Sequence, residues 1–217
     1  MTPVRRAPRG VVALSLLLQG CAALVVEREP ASPVSRVSSL SGRPGLVIGA
    51  PDRSPDDLLG RIGLDLARQT GFGLVVGATG DRSSNRAYWL RVEELANGPI
   101  RFYVELRGGT RQEARGRIEI VTVGVSRDEA RKLWTLFELI RNSRLGSRRE
   151  LPRLDLLVTP ARADGSGVEP AVPLRIGERG IRIELPPAAL TLGRLVYTEI
   201  LAEFLTECSR LLLSAER

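Results

Sequence analysis

"GLVIGAPDRSPDDLLGRIGLDLARQTGFGLVVGA", residues 45–78, decides the fold. Gly45–Ala50 is a short apolar run without alternation, the pattern of a strand covered on both faces. Pro51 breaks the run. Ser54 is placed to cap a helix, with Pro55 at its first position and Asp56 and Asp57 in its first turn. Leu59, Ile62 and Leu66 fall on one stripe of that helix, and Gly71 ends it. Phe72–Ala78 is a second buried strand. A strand–helix–strand unit of this length predicts a parallel pair with a right-handed crossover. The turn after its first strand carries Asp52, Arg53 and Ser54, at a junction where α/β enzymes place metals and nucleophiles.

The pattern continues downstream. "AYWLRVEELANG" predicts a short helix. In "IRFYVELR", Ile100, Phe102, Val104 and Leu106 face one way while Arg101, Tyr103, Glu105 and Arg107 face the other. "GRIEIVTVGV" is a strand, followed by a capping box of Ser126 and Glu129. The helix behind that box presents Ala130, Leu133, Trp134, Phe137 and Ile140 and stops near Gly146. "RLDLLVTP" is a strand, residues 161–173 are a Gly/Pro/Asp-rich loop, and "GIRIELP" is the last strand. In that strand Ile181 and Ile183 oppose Arg182 and Glu184. An amphipathic helix from about Thr191 to Ser214 closes the chain. Strands and helices alternate, which predicts a single α/β domain: three αβα layers around a mixed, mainly parallel sheet.

The N-terminus reads differently. Arg5, Arg6 and Arg9 precede "VVALSLLL", an apolar run too short to span a bilayer, so residues 1–20 read as an export signal. The run ends in "LQGC", which resembles the bacterial lipobox and implies lipidation of Cys21; Gln19 departs from the usual pattern. Ordinary cleavage near "CAA" with a soluble product is the alternative. Ala22 is not an inner-membrane retention aspartate, so the expected location is the periplasmic face of the outer membrane. Residues 21–44 are rich in Pro, Ser and Gly and read as a flexible tether from Cys21 to a domain at 45–217.

Charge and cysteine use narrow the function. All but Lys132 of the 32 basic residues are arginine, and the formal charge is +7. Removing residues 1–20 removes three arginines and no acid, leaving a mild +4. That balance calls for no nucleic acid; an anionic envelope polymer is the most it suggests. With Cys21 lipidated, Cys208 has no partner for a disulfide, and its place on the stripe Val196, Ile200, Phe204, Cys208, Leu211 marks a buried structural thiol. The chain has no histidine. Ser-His-Asp and Cys-His chemistry are therefore excluded, and Lys132 lies on a predicted helix away from any serine motif.

The segments "VIGAPDRSPDDLLGRIGLDLARQTGFGLVVGATG", "SSNRA", "RFYVELRGGTRQEARGRIEIVTVG" and "GIRIELPPAALT" together resemble the N-formylglutamate amidohydrolase family, over about Gly45 to Leu205. Members of that family are similar to carboxypeptidase-type zinc hydrolases. They show a Pro-His-Gly-Gly turn after the first strand, an Asn-Arg pair, a strand ending in histidine, and a C-terminal strand carrying glutamate. The resemblance places Pro51 at the first proline, Asp52 at its histidine, and Arg53 and Ser54 at the glycines. Asn85 and Arg86 keep the Asn-Arg pair, Arg107 stands at the strand-end histidine, and Glu184 keeps the glutamate. Zinc is the cofactor the family implies, yet its ligands are missing, and a permanently charged arginine repels a cation.

The expectation is thus a pseudoenzyme: a lipid-anchored envelope protein with no bound metal that works by binding or scaffolding. Its ligand is a small acidic molecule or an envelope polymer, held by Asn85, Arg86 and Glu105. The rival is an active amide hydrolase on N-acylglutamate-like or peptidoglycan-derived substrates, with Glu184 activating water. A purely structural lipoprotein is the third reading. The charged strand residues also allow a plainer account, cross-strand ion pairs, with Asp52 facing Arg107.

Overall fold

The computed structural model describes residues 37–51, 53, 56–77, 82–109, 116–146, 148–160 and 179–214, apart from the side chains of residues 82–84 and 160. Residues 1–20, read as an export signal, Cys21, Asp52, Ser54 and residues 161–173, read as a loop, lie outside the described residues. In chain order the elements begin with β1 (Ser38–Leu40), β2 (Leu46–Pro51), α1 (Leu58–Thr70) and β3 (Gly73–Gly77). They continue with α2 (Arg82–Ala96), β4 (Phe102–Gly108), β5 (Arg117–Val123), α3 (Arg127–Leu145) and β6 (Asp155–Pro160). The last are β7 (Arg179–Leu185), the single turn α4 (Pro187–Leu190) and α5 (Arg194–Ser214).

Every residue of β2 is buried, as its unbroken apolar run requires. The helix after it is capped by Asp57, whose Oδ1 accepts the Gly60 N–H at 2.7 Å. This moves the expected start of α1 three residues along the chain. Gly71 closes α1 with φ 72°, a left-handed value that glycine adopts without a Cβ clash. β3 then returns parallel to β2.

The seven strands form one sheet in the order β1-β3-β2-β4-β7-β5-β6. β3, β2, β4 and β7 are parallel; β5 and β6, parallel to each other, run against β7. One face of the sheet carries Ile48, Phe102, Val104, Leu106, Ile181 and Ile183 into the main core. α1, α3 and α5 cover that face with Leu59, Ile62, Leu66, Leu133, Phe137, Ile140, Ile200 and Phe204. Phe137 and Phe204 meet edge to face at 5.7 Å, and burying one such side chain contributes about 1.5–3 kcal/mol. On the other face α2 seals Val47, Val75 and Tyr103 with Tyr88, Val92 and Ala96. The result is the expected three-layer αβα domain with a mixed, mainly parallel sheet. No helix among the described residues is long and apolar enough to cross a membrane.

Some boundaries differ from the sequence reading. Ser38–Leu40, expected within the tether, pairs antiparallel with β3 as an edge strand. The fold therefore starts before Gly45; a Cβ on Gly42 would stand only 2.1 Å from the Gly73 nitrogen. Ile100 precedes β4 and packs in the α2 core, not with Phe102. Trp134 is half exposed, because it sits one residue, about 100° of turn, off the Leu133–Phe137 stripe. The last helix starts at Arg194, since Gly193 packs against the Tyr197 ring and Pro187–Leu190 takes up the preceding turn. Cys208 is fully buried on α5, and burial pushes its thiol far above the usual range, as a structural role requires.

The capping box forms as read: Ser126 Oγ accepts the Glu129 N–H and the Glu129 carboxylate accepts the Ser126 N–H. The Ser126 N–H, and then Arg179 at 2.7 Å, hold the Glu129 carboxyl down to about 2 from an ordinary 4.5. Its folded-state value is the lower one, so its stabilisation is present above pH 4.5 and fades as pH falls toward 2. Glu129→Gln should therefore be less stable than the native chain at pH 6. The gap should close by pH 2, as read by urea unfolding at each pH.

Candidate functional site

The chain leaves β2 toward β3 on one side through α1, then crosses back through α2 to β4 on the other side. α1 and α2 lie on opposite faces, so the carboxyl ends of β2 and β4 mark a topological switch point, where open α/β sheets bind ligands. Arg53 and Arg107 both lie there. The Arg53 guanidinium lies over the end of β4, 3.2 Å from where a Cβ on Gly108 would stand. β7 extends the same edge, and Arg107 is in register with Glu184. The antiparallel β5 places Glu119 opposite Glu184 on its other side. The two positions that the family resemblance singles out on separate strands are thus neighbours.

Two register positions further into the sheet, on the same face, lies a second charged row. Gly49, Glu105 and Arg182 are aligned across β2, β4 and β7. Glu105 is wholly buried, and its Oε1 accepts two N–H groups: Arg107 Nε at 2.5 Å and Arg182 Nε at 2.9 Å. The Arg182 side chain is only 6% exposed, while Arg107 is 37% exposed. A buried carboxylate shared by two guanidiniums makes charge-assisted bonds, but its desolvation is costly unless every lone pair is used. Here the account is incomplete: Glu105 Oε2 is buried with no hydrogen-bond partner.

The neighbouring polar pair is complete. Tyr88 and Tyr103 hydroxyls lie 3.2 Å apart, and the Tyr88 hydroxyl reaches the Val75 carbonyl at 3.4 Å. Both hydroxyls occupy the space over Gly49, where a Cβ would stand 2.0 Å from the Tyr103 oxygen. Burial first, then Tyr88 and Glu105, raise the Tyr103 phenol well above its ordinary value, so it stays a neutral donor. Trp89 of α2 packs its ring against Tyr103 at 5.5 Å and donates its indole N–H to Asn85 Oδ1 at 2.6 Å.

The expected site residues separate accordingly. Arg107, Glu105 and Glu184 come together at the carboxyl edge. Glu184 is half buried and forms no ion pair among the described residues. Asn85 is turned onto Trp89, and Arg86 is exposed on α2. Asp52 lies outside the described residues, so its pairing with Arg107 has no structural reading. The expected cross-strand pairing occurs between Glu105 and Arg182, with Arg107 joining along its own strand. Gly49, Tyr88, Tyr103 and Arg182 belong to the site without having been named for it. Gly49 was the readable signal, because a glycine inside a buried strand marks a close approach.

These residues do not fit a zinc ion. The chain has no histidine, Arg107 occupies the strand end, and Cys208 is sealed inside α5. Among the described residues no three cysteine, aspartate or glutamate side chains converge. Two arginines beside the one buried carboxylate give the inner row a positive balance that favours an anion over a metal.

No protein-family model matches the chain, and neither does any curated protein. Solved structures do. A bacteriophage poly-gamma-glutamate hydrolase matches with a TM-score of 0.52 at 15% identity, over 84% of this chain and 93% of that one. The zinc-free apo form of YNDL matches with a TM-score of 0.52 at 12% identity, over 82% and 92%. At such identities the likeness is one of fold: the chain shares the αβα fold of these two structures, and its strand edge carries the Arg107–Glu105–Arg182 cluster.

Proposed function

We propose that the protein is a lipid-anchored envelope protein that binds a small acidic ligand at the carboxyl edge of its sheet and has lost zinc-dependent hydrolysis. In this reading it is a degenerate relative of the N-formylglutamate amidohydrolases, exported by residues 1–20 and held at the outer membrane through Cys21. One observation carries the binding role: Arg107 stands at the strand end, backed by the buried Glu105 and aligned with Glu184. A cation entering there meets guanidinium charge, whereas a carboxylate meets planar donors suited to it.

The test is metal-dependent melting and calorimetry on the signal-free chain. Zinc, manganese, calcium and magnesium are expected to leave the melting temperature unchanged and to co-purify below stoichiometry. N-formylglutamate is expected to raise it. Stoichiometric zinc with a clear stabilisation would sink this reading.

A second reading rests on Glu184, a half-buried carboxylate without an ion pair among the described residues, beside Arg107 in register. In an active amide hydrolase it would take a proton from water while an arginine orients the substrate carboxylate. Release of formate or another acyl group from an N-acylglutamate, lost in Glu184→Gln, would establish that alternative.

A further inference from the structure

The two most exposed large apolar side chains among the described residues are Leu192, 84% exposed, and Leu195, 69% exposed. Leu192 lies in the turn between α4 and α5, and Leu195 in the first turn of α5. Both line one groove of about 410 Å³, which they share with Leu151 and Arg148 from the segment between α3 and β6. Tyr197 ties the two walls together: its hydroxyl accepts the Leu154 N–H and donates to the Pro152 carbonyl, both at 2.7 Å. A scattered exposed leucine is ordinary, but two on one fixed groove form a patch that adds nothing to the core. The rim is basic. Arg148 and Arg194 line the groove, and the exposed Arg149 follows Arg148; Glu150 is the acid among them. On α3, Arg141 is engaged by Glu138 and Asp155, and Arg144 by Glu203. Arg148, Arg149 and Arg194 have no such ion pair among the described residues.

We propose that this surface is a membrane contact: Leu192 and Leu195 enter the headgroup region of a bilayer that contains anionic lipid, and Arg148, Arg149 and Arg194 take its phosphates. Guanidinium groups offer planar donors to phosphate oxygens while their stems lie along apolar surface. A basic cluster is drawn to an anionic leaflet, and the adjoining leucines gain burial there that a soluble polyanion does not offer. Charge and leucines together therefore favour a bilayer over a polymer. A protein partner fits less well. Interface hot spots are built on Trp, Tyr and Arg, with leucine under-represented, and among the described residues no aromatic side chain lines this groove.

That a membrane is at hand rests on the envelope reading above; the chain tested carries no lipid, so the two fail separately. The signal-free chain with Cys21→Ser is sedimented with vesicles of phosphatidylcholine alone and of phosphatidylcholine mixed with phosphatidylglycerol. Binding to the mixed vesicles is expected to be tighter by about tenfold or more, and to weaken as salt is added. Leu192→Ser with Leu195→Ser keeps every charge and should lower that binding by about tenfold. Arg148→Gln with Arg194→Gln should lower it by roughly thirtyfold. These side chains lie at the surface, so the variants should melt as the native chain does. No binding to the mixed vesicles overturns the membrane contact and leaves the anchor at Cys21 standing, which the mass of the exported chain reads separately. Undiminished binding by the leucine variant also overturns it, because net charge alone then holds the chain, as it would on any polyanion.

Discussion

Glu105→Ala is expected to destabilise the domain by about 3–5 kcal/mol, the usual cost of leaving a buried charge without its partner. The residue has no exposed surface, and both arginines spend their Nε–H on one of its oxygens. Truncation strands Arg182, whose side chain is 6% exposed and cannot turn to water. Urea unfolding should show a lower midpoint with an unchanged slope. The double variant Glu105→Ala, Arg182→Met should recover most of the loss, because it removes the stranded charge and refills the space. A loss under about 1 kcal/mol would mean that the pair behaves as a solvated surface bridge, and the buried-cluster account would fall.

Gly49→Val is expected to cost about 3 kcal/mol, the upper end of the overpacking range. A Cβ there would stand 2.0 Å from the Tyr103 hydroxyl and 2.3 Å from that of Tyr88. Both rings are fully buried where α2, which carries Tyr88, packs on Tyr103 of β4, so neither can retreat without opening the second core. Tyr103→Phe should be tolerated better than Gly49→Val, and the two together should be less harmful than their sum, since the first removes the nearer oxygen. Strict additivity in thermal unfolding would place the clash elsewhere. The same position governs the site, because Gly49 is in register with Glu105. A shift of the tyrosines would disturb the charged row beside them.

Much of this could be read from the chain because the relevant interactions are local. Glycine at 71 needs only its own left-handed backbone to end α1. Ser126 and Glu129 make their capping box within four residues. Alternation in "GIRIEL" placed Ile181 and Ile183 on one face of the strand and Arg182 and Glu184 on the other. Where reading failed, a distant partner had intervened. Ser38–Leu40 carries a weak strand signal within a Pro/Ser/Gly-rich stretch, and it becomes a strand because the edge of β3 offers unpaired backbone groups. Ser54 is as good a cap as Asp57 by type, and only the folded chain shows that Asp57 accepts the Gly60 N–H.

The candidate site divides the same way. Its missing histidine, its strand-end arginine and its glycine in a buried strand were all visible as residues. What the sequence by itself determined was therefore the αβα layering and the lack of any histidine, since apolar periodicity and side-chain chemistry are properties of single segments. Only the tertiary structure decided that Glu105 belongs to Arg182 from 77 positions away, that Arg107 lies beside Glu184, and that one carboxylate oxygen is left unfilled. Those facts depend on strand order and register. Both are set by how the helices pack on the two faces of the sheet, and no short stretch of the chain encodes them.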